Sequence, residues 1–410
     1  MLTQKFKDFI FENRSFMRLL LCYGIALSLV NWILPLEWEK NWFFFYKYLY
    51  QYGITPYIDY REGYPPLGFL IYMPFTYLSN WDVYLFAFYF RMVNLVFLIL
   101  SCLLIYLIVF QLRGRKAALI ASTIYAVCPT VVLGGKISND SFMLFLSLLG
   151  LYFLLKGKPS FSGMILGLAT MVKIFPALFV IIGLKWFGEN RDKFRLLLAF
   201  MLTVYFISLP FLVMDPFMYL STFIHHGSRG PWETIWALMD GWYSHGGFIH
   251  PDFDQFFYHF QLLKIYSPSS LDHAFYDWKY PLIPTFLIVC QVAVAIAFFL
   301  FGKCENKSVL IKKVTLILLL YVLFFKGYSP QFTVFTLPFL LLSLKGAWLG
   351  AAIFLEAATE IQLLAWRYEL PFSHDYHLPL LIFAVLLRTL IFVVVIGLLV
   401  IQLKRRKSHE

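Results

Sequence analysis

The stretch GITPYIDYREGYPPL, residues 53–67, gathers Asp59, Arg61 and Glu62 among tyrosines and prolines, with long apolar sequence on both sides. A carboxylate held still in such a place is suited to proton transfer, and Asp59 and Glu62 are the two acids present. The plainer reading pairs Asp59 with Arg61 at the surface and leaves Glu62 to balance the same arginine. A second polar connection, GGKISNDS, carries Asn139, Asp140 and Ser141, and either Asp140 or Ser141 is suited to cap the helix that follows. Lys173 and Lys326 interrupt apolar runs, where a cation is costly and a function is the default expectation. Arg91, Arg388, Glu356 and Glu360 lie deeper in such runs, as structural ion pairs across helices or as part of an anion site. His225 and His226 are adjacent and so point in different directions, which does not make a metal pair. His374 and His377 flank Asp375 but lack a full ligand set. No metal site is expected from these spacings, and no cofactor. Five cysteines without a CxxC spacing lie in or beside apolar runs and read as packing residues.

The elements that position these residues follow from composition. The chain is 60% hydrophobic and 14% charged, where a soluble protein carries about 25% charged residues. Its mean hydropathy is +0.73. Apolar runs of roughly twenty residues recur along its length, which predicts an all-α polytopic membrane protein. About twelve passes are expected, over 16–36, 82–111, 117–134, 141–155, 160–172, 174–185, 196–214, 281–302, 310–326, 331–344, 346–366 and 378–403. The first reads as a span, being too long and bulky for a cleaved signal. The fifth and sixth are too short to span singly. Phe161–Trp186 therefore reads as two half-helices that dip into the membrane and return, with Lys173 and Pro176 near the tip.

Charge gives the orientation. Most of the 34 basic residues fall in one set of short loops and tails, from Lys5, Lys7, Arg14 and Arg18 through Arg113, Arg115 and Lys116 to Lys404–Lys407. That side is expected to be cytoplasmic, with both termini on it. The net charge of +11 is thereby a matter of topology, and no nucleic-acid partner is expected. Acids concentrate in the alternate loops, as does every histidine but His409. Those outer segments, 37–81, 215–280 and 367–377, are long and chemically varied. Chemistry is accordingly expected on the outer face, and replacing Arg113, Arg115 and Lys116 is expected to disturb topology rather than turnover. Three stretches of one integrated membrane domain are expected: 1–214 with the first outer loop, 215–280 as a large outer loop with short surface helices, and 281–410 as C-terminal helices.

Within the first outer loop, EWEKNWFFFYKYLYQYG suits a helix in the headgroup layer. Gly53 is a good stop for it, and Pro56, Pro65 and Pro66 then hold Tyr57–Tyr64 non-helical and stiff.

Four features in this order carry a resemblance: the acid of PYIDYREGYPP, the short ND turn, GMILGLATMVKIFPALFVI with its lysine at the tip, and FFKGYSPQFTVFTLPFLL. Over roughly residues 10–345 the chain resembles the GT-C superfamily of membrane glycosyltransferases. It is most similar to the polyprenyl-phosphate-mannose-dependent family 87, in which PY-x-D-(x)4-YPP, K-x-x-P and SPQ-type motifs recur in this order. The resemblance implies a GT-C fold. It implies transfer of a sugar, mannose first, from a polyprenyl- or dolichyl-phosphate donor to a glycolipid or glycan acceptor on the extracytoplasmic side of the plasma membrane, with membrane lipids as the surroundings. It makes Asp59 the general base for an inverting displacement. An alcohol is a poor nucleophile, and a positioned carboxylate typically accelerates its attack by about 10²–10⁴-fold. A phosphate leaving group needs cations rather than an acid. Arg61, Lys173, Lys326 and Arg388 are the candidates for the lipid phosphate. Glu62, Tyr60, Tyr64, Asn139, Asp140, His225, His226 and Gln331 are the candidates for supporting or sugar-binding roles.

Two departures matter. Many GT-C enzymes carry DxD, ExD or paired acids in this loop, some of them holding a divalent metal. Here only Asp59 and Glu62 are present, a poor magnesium site, which favours a metal-independent reaction. Some family members carry histidines after the SP pair, where this chain has Gln331 and Phe332. Lys326 and a loop histidine both remain open for that role. The competing readings are a secondary transporter, which lacks support from an internal repeat, and a non-catalytic assembly subunit, for which Asp59→Ala would be silent.

Overall fold

The computed structural model describes residues 12–33, 37–59, 64–135, 138–228, 231–240, 282–301, 303–369 and 378–407. Among them no strand occurs, and Trp232 makes an isolated bridge to Gly327. The helices in chain order are α1 Arg14–Ile33, α2 Glu37–Tyr52, α3 Pro66–Leu70, α4 Met73–Leu78, α5 Val83–Val127 and α6 Pro129–Gly134. There follow α7 Asp140–Leu155, α8 Pro159–Thr170, α9 Ala177–Trp186, α10 Asn190–Met214, α11 Pro216–Ser228 and α12 Ile235–Asp240. The last are α13 Leu282–Phe301, α14 Lys307–Leu323, α15 Thr333–Ser343, α16 Gly350–Glu369 and α17 Leu378–Lys407. Stretches in α5, α10, α16 and α17 are long and apolar enough to cross a membrane on length and composition, and several shorter helices are apolar too. The chain is an all-α membrane protein.

Local chemistry sets the helix ends. Asp82 accepts from Leu85 N–H at 2.7 Å to start α5, and Asn306 accepts from Val309 N–H at 3.1 Å to start α14. Pro66, Pro129 and Pro159 stand in the first turns of α3, α6 and α8, where a missing N–H does no harm. The second and third expected passes form one helical run, broken at Gly114 (φ 80°) beside the basic Arg113–Lys116 segment and again before Pro129. Arg113 is not a solvated loop charge. Its guanidinium donates to the Leu341 and Leu344 carbonyls and so satisfies the C-terminal end of α15.

The two short apolar runs do form a helical pair. At about 1.5 Å per residue α8 and α9 reach roughly 18 and 15 Å, against about 30 Å of hydrocarbon. Gly163 and Gly167 let α8 lie directly on α10: a Cβ at Gly163 would stand 2.1 Å from the Leu196 carbonyl oxygen. This is the small-residue contact by which membrane helices approach closely. The tip, residues 171–176, holds Lys173 and Pro176.

The main core runs through α5, α7, α8, α9, α14, α15 and α17. A second, aromatic core fastens the first outer loop. Phe43, Phe45, Tyr46 and Leu49 of α2 pack with Phe69, Tyr72, Phe86 and Phe90. Glu39, on the same helix, is fully buried and pairs with Arg91 of α5 at 2.5 Å. Gly53 (φ 61°) ends α2: its N–H and that of Ile54 turn back to the Tyr50 and Leu49 carbonyls, while Ile54 packs with Leu49.

Candidate active site

Asp59 ends a tight turn that starts at Thr55. Its Oδ2 accepts from Thr55 N–H at 2.6 Å, and its own N–H donates to the Thr55 carbonyl at 2.9 Å. The carboxylate is thus anchored by one oxygen. The other oxygen makes no hydrogen bond among the described residues, and the side chain is partly exposed. Tyr57 locks the turn from below. It takes a left-handed conformation (φ 66°), and its fully buried ring meets Phe211 of α10 at 4.8 Å and Tyr219 of α11 at 5.9 Å. Its hydroxyl donates to the Tyr64 carbonyl at 2.6 Å, tying the Asp59 turn to the YPP segment.

From there a continuous set of hydrogen bonds leads to the hairpin tip. Leu67 and Gly68 N–H both donate to the Met171 carbonyl, at 2.9 and 3.2 Å. Asn139 Nδ2 donates to the Gly68 carbonyl at 2.8 Å. Gly68 is needed for this contact, since a Cβ there would stand 2.5 Å from the Val172 carbonyl oxygen. The ND turn therefore does more than cap a helix; neither Asp140 nor Ser141 caps α7. Asp140 pairs with Lys173, and its other oxygen accepts from Ser138 Oγ at 2.8 Å. Ser141 Oγ and Tyr72 OH share Asn94 Oδ1 at 2.7 and 2.6 Å. The Lys173 ammonium lies over the rings of Phe332 and Phe335, 4.8 and 5.7 Å from their centroids, a cation–π arrangement. Gln331, beside Phe332, packs against Gly134 at the end of α6. Segments far apart in the chain thus meet at one place: the YPP end, the ND turn, the lysine tip and the SPQ turn.

A strap closes over the FKGYS segment. Trp232 N–H donates to the Lys326 carbonyl at 3.2 Å, Tyr328 N–H returns to the Trp232 carbonyl at 3.1 Å, and Trp232 Nε1 reaches Ser329 Oγ at 3.1 Å. Lys326 is itself buried. Behind the strap, Arg388 is fully buried, its guanidinium 3.9 Å above the Tyr328 ring. It donates to Gln362 Oε1 and to the Glu233 carbonyl, and Gln362 Nε2 donates to Glu233 Oε2. Arg388 thus sits among protein groups on all the sides described. Glu233 was not singled out from the sequence. Its signal there is faint, one acid after a Gly-Pro-Trp turn.

Of the deep charges, Arg91 forms the expected structural ion pair across helices, and Arg388 and the α16 acids find other partners. Arg91 goes to Glu39 and Arg388 to the strap. Glu356 accepts from Thr130 N–H at 2.7 Å, and Glu360 from Thr130 Oγ1 at 3.3 Å, so that acids of α16 serve the positive end of α6. His225 and His226 lie on α11, but their side chains fall outside the described residues. Tyr60, Arg61, Glu62, His374 and His377 fall outside them altogether, as does the stretch 241–281. Among the described residues no three His, Cys, Asp or Glu side chains come together as a metal site would require.

No curated protein matches the chain. Residues 63–325 match glycosyltransferase family 87. The match takes in the YPP segment, the ND turn and the lysine hairpin, begins four residues after Asp59 and stops one residue short of Lys326. With well over half of its length matched, and with those segments packed around one place in a helical membrane protein, the chain belongs to glycosyltransferase family 87.

Proposed function

We propose that the protein transfers a sugar, mannose first, from a polyprenyl- or dolichyl-phosphate donor to a glycolipid or glycan acceptor at the outer face of the plasma membrane. The fold is of GT-C type with about twelve passes and both termini inside, an orientation resting on the loop charges. The observation that carries the reading is the convergence of the Asp59 turn, the ND turn and the Lys173 tip through hydrogen bonds to Tyr64, Gly68 and Met171.

In the proposed reaction the free oxygen of Asp59 takes the acceptor's hydroxyl proton. The acceptor oxygen attacks the anomeric carbon, the carbon–phosphate-oxygen bond breaks with inversion, and the lipid phosphate leaves with its electron pair. Anchoring the other carboxylate oxygen on Thr55 N–H fixes the orientation a base needs. Lys173 receives the charge that develops on the phosphate, in partly apolar surroundings where one ammonium is effective. Lys326 and Arg61 are its candidate helpers. Glu62, Tyr60, Tyr64, Asn139, His225, His226 and Gln331 are candidates for holding sugar or acceptor. Arg388 we assign instead to positioning Tyr328 and the strap, because its guanidinium is buried against protein partners.

The test is sugar transfer by purified protein given labelled polyprenyl-phosphate-mannose and candidate acceptor lipids, with and without EDTA. Wild type is expected to transfer regardless of EDTA, and Asp59→Asn to lose about 10²–10⁴-fold. Equal transfer by both proteins would overturn the assignment of Asp59. Loss on chelation would overturn metal independence.

A further inference from the structure

The Lys173–Asp140 pair poses a problem for a phosphate site. A lysine meant to hold an anion already holds one, and that carboxylate is almost fully buried while the lysine is about one-sixth exposed. Asp140 does not depend on the lysine alone. It stands in the first turn of α7, at the positive end of the helix dipole, and Ser138 Oγ donates to its second oxygen. Lys173 can therefore turn towards another anion without leaving a bare buried charge behind. An ammonium has three donors, and among the described residues only one of them is engaged. The rings of Phe332 and Phe335 hold its position meanwhile.

The anions such a site meets differ in charge. A lipid-phosphate sugar is a phosphodiester with one negative charge. Once the sugar has left, the lipid phosphate is a monoester carrying about −1.5 to −2 at neutral pH. Lys173 alone would therefore hold product more tightly than substrate, and the site would clog. A fixed carboxylate beside the lysine repels the monoester more than the diester.

We propose that Asp140 sets the preference of the site for the diester donor over the monoester product, and thereby speeds release of the lipid phosphate. This rests on the reading of Lys173 as the phosphate ligand. Asp140 is a positioning and selectivity residue here, since it touches the lysine and not the reacting atoms.

The test compares binding of polyprenyl phosphate and of polyprenyl-phosphate-mannose to the full-length protein in nanodiscs. Single-turnover and steady-state transfer are measured alongside. Asp140→Asn is expected to tighten product binding about tenfold or more, the order expected for removing one charge about 6 Å away, and donor binding distinctly less. The first turnover should be kept while steady-state turnover slows. Ser138→Ala removes only a hydroxyl and should act in the opposite sense: the carboxylate, less satisfied elsewhere, holds Lys173 harder, and product affinity falls relative to donor. Equal shifts for both ligands in Asp140→Asn, or shifts of the same sign in the two variants, would overturn the proposal. Lys173→Met separates the two levels. If it weakens both ligands while Asp140→Asn fails to change their ratio, only the role of Asp140 falls. If it weakens neither, the phosphate reading of Lys173 falls and the proposal falls with it. Should Asp140→Asn not fold, the sign of the Ser138→Ala effect alone decides.

Discussion

Asp59 is held by very little covalent structure and by a good deal of packing. Its oxygen is anchored on Thr55, and the turn that carries it is pinned by one tyrosine in a left-handed conformation. Replacing Tyr57 with Phe keeps the buried ring against Phe211 and Tyr219 and removes the hydroxyl that donates to the Tyr64 carbonyl. The loss in stability should be small, about 1 kcal/mol. The loss in rate should be larger, on the order of tenfold in kcat with KM little changed, because a base displaced by a fraction of an ångström no longer meets the acceptor hydroxyl. Thermal unfolding in detergent and steady-state transfer measure the two effects separately. A variant with normal kcat would mean that the buried ring and the Thr55 contacts hold the Asp59 turn without the hydroxyl.

The hairpin of α8 and α9 works as a platform, and α3 is what sits on it. That contact is backbone to backbone: Leu67 and Gly68 N–H on the Met171 carbonyl, with no room for a side chain at Gly68. Gly68→Ala must push α3 away from Val172 and from Asn139 Nδ2, which stands 3.0 Å from the added carbon. Overpacking of this kind costs about 1–3 kcal/mol. Because the Asp59 turn and Lys173 are joined through this contact, the variant should lose transfer well beyond what its lowered melting temperature explains. Activity measured far below that temperature, falling tenfold or more, is the expected result; unchanged activity would show that base and lysine do not communicate through α3. Much of this architecture was legible beforehand. Run length identified two short helices, and Lys173 and Pro176 marked the tip. Gly53 marked the stop of α2. The partners of the deep charges were not legible. Arg91 finds Glu39 across 52 positions, and Arg388 finds the Glu233 carbonyl across 155. Such partners are chosen by how helices pack, which spacing along one helix does not encode. Glu233 escaped notice for the same reason, as an ordinary acid in a turn until the strap folds onto Lys326–Ser329.

Taken whole, the protein carries the proposed base and the strap on segments expected to lie outside and the lysine at the tip of the hairpin, while a basic segment is used for structure. Arg113 shows how the two meet. It belongs to the set of charges that orient the chain, yet it closes the end of α15, the helix that follows the SPQ turn. Arg113→Ala is therefore a poor probe of orientation, because a loss of activity would report on α15 as readily as on topology. Better probes lie on exposed positions without partners in the site. Tyr52→Cys, at the 61% exposed end of α2, and Lys158→Cys, in the turn before α8, fall on opposite sides by the charge rule. Of the native cysteines, Cys22 is exposed and Cys290 half-buried, so both are first replaced by Ala. Cys102, Cys128 and Cys304 are buried, and burial pushes the Cys304 thiol up to about 11, so that almost none of it is reactive thiolate at neutral pH. A membrane-impermeant maleimide added to intact cells should label Tyr52→Cys at once and Lys158→Cys only after permeabilisation. The reverse pattern would place the Asp59 turn in the cytoplasm, where it would face cytoplasmic acceptors instead of extracytoplasmic ones. Labelling of both in intact cells would mean that the chain crosses the membrane an even number of times between them, and the Lys173 hairpin would then have to be re-read as entered from the outer side.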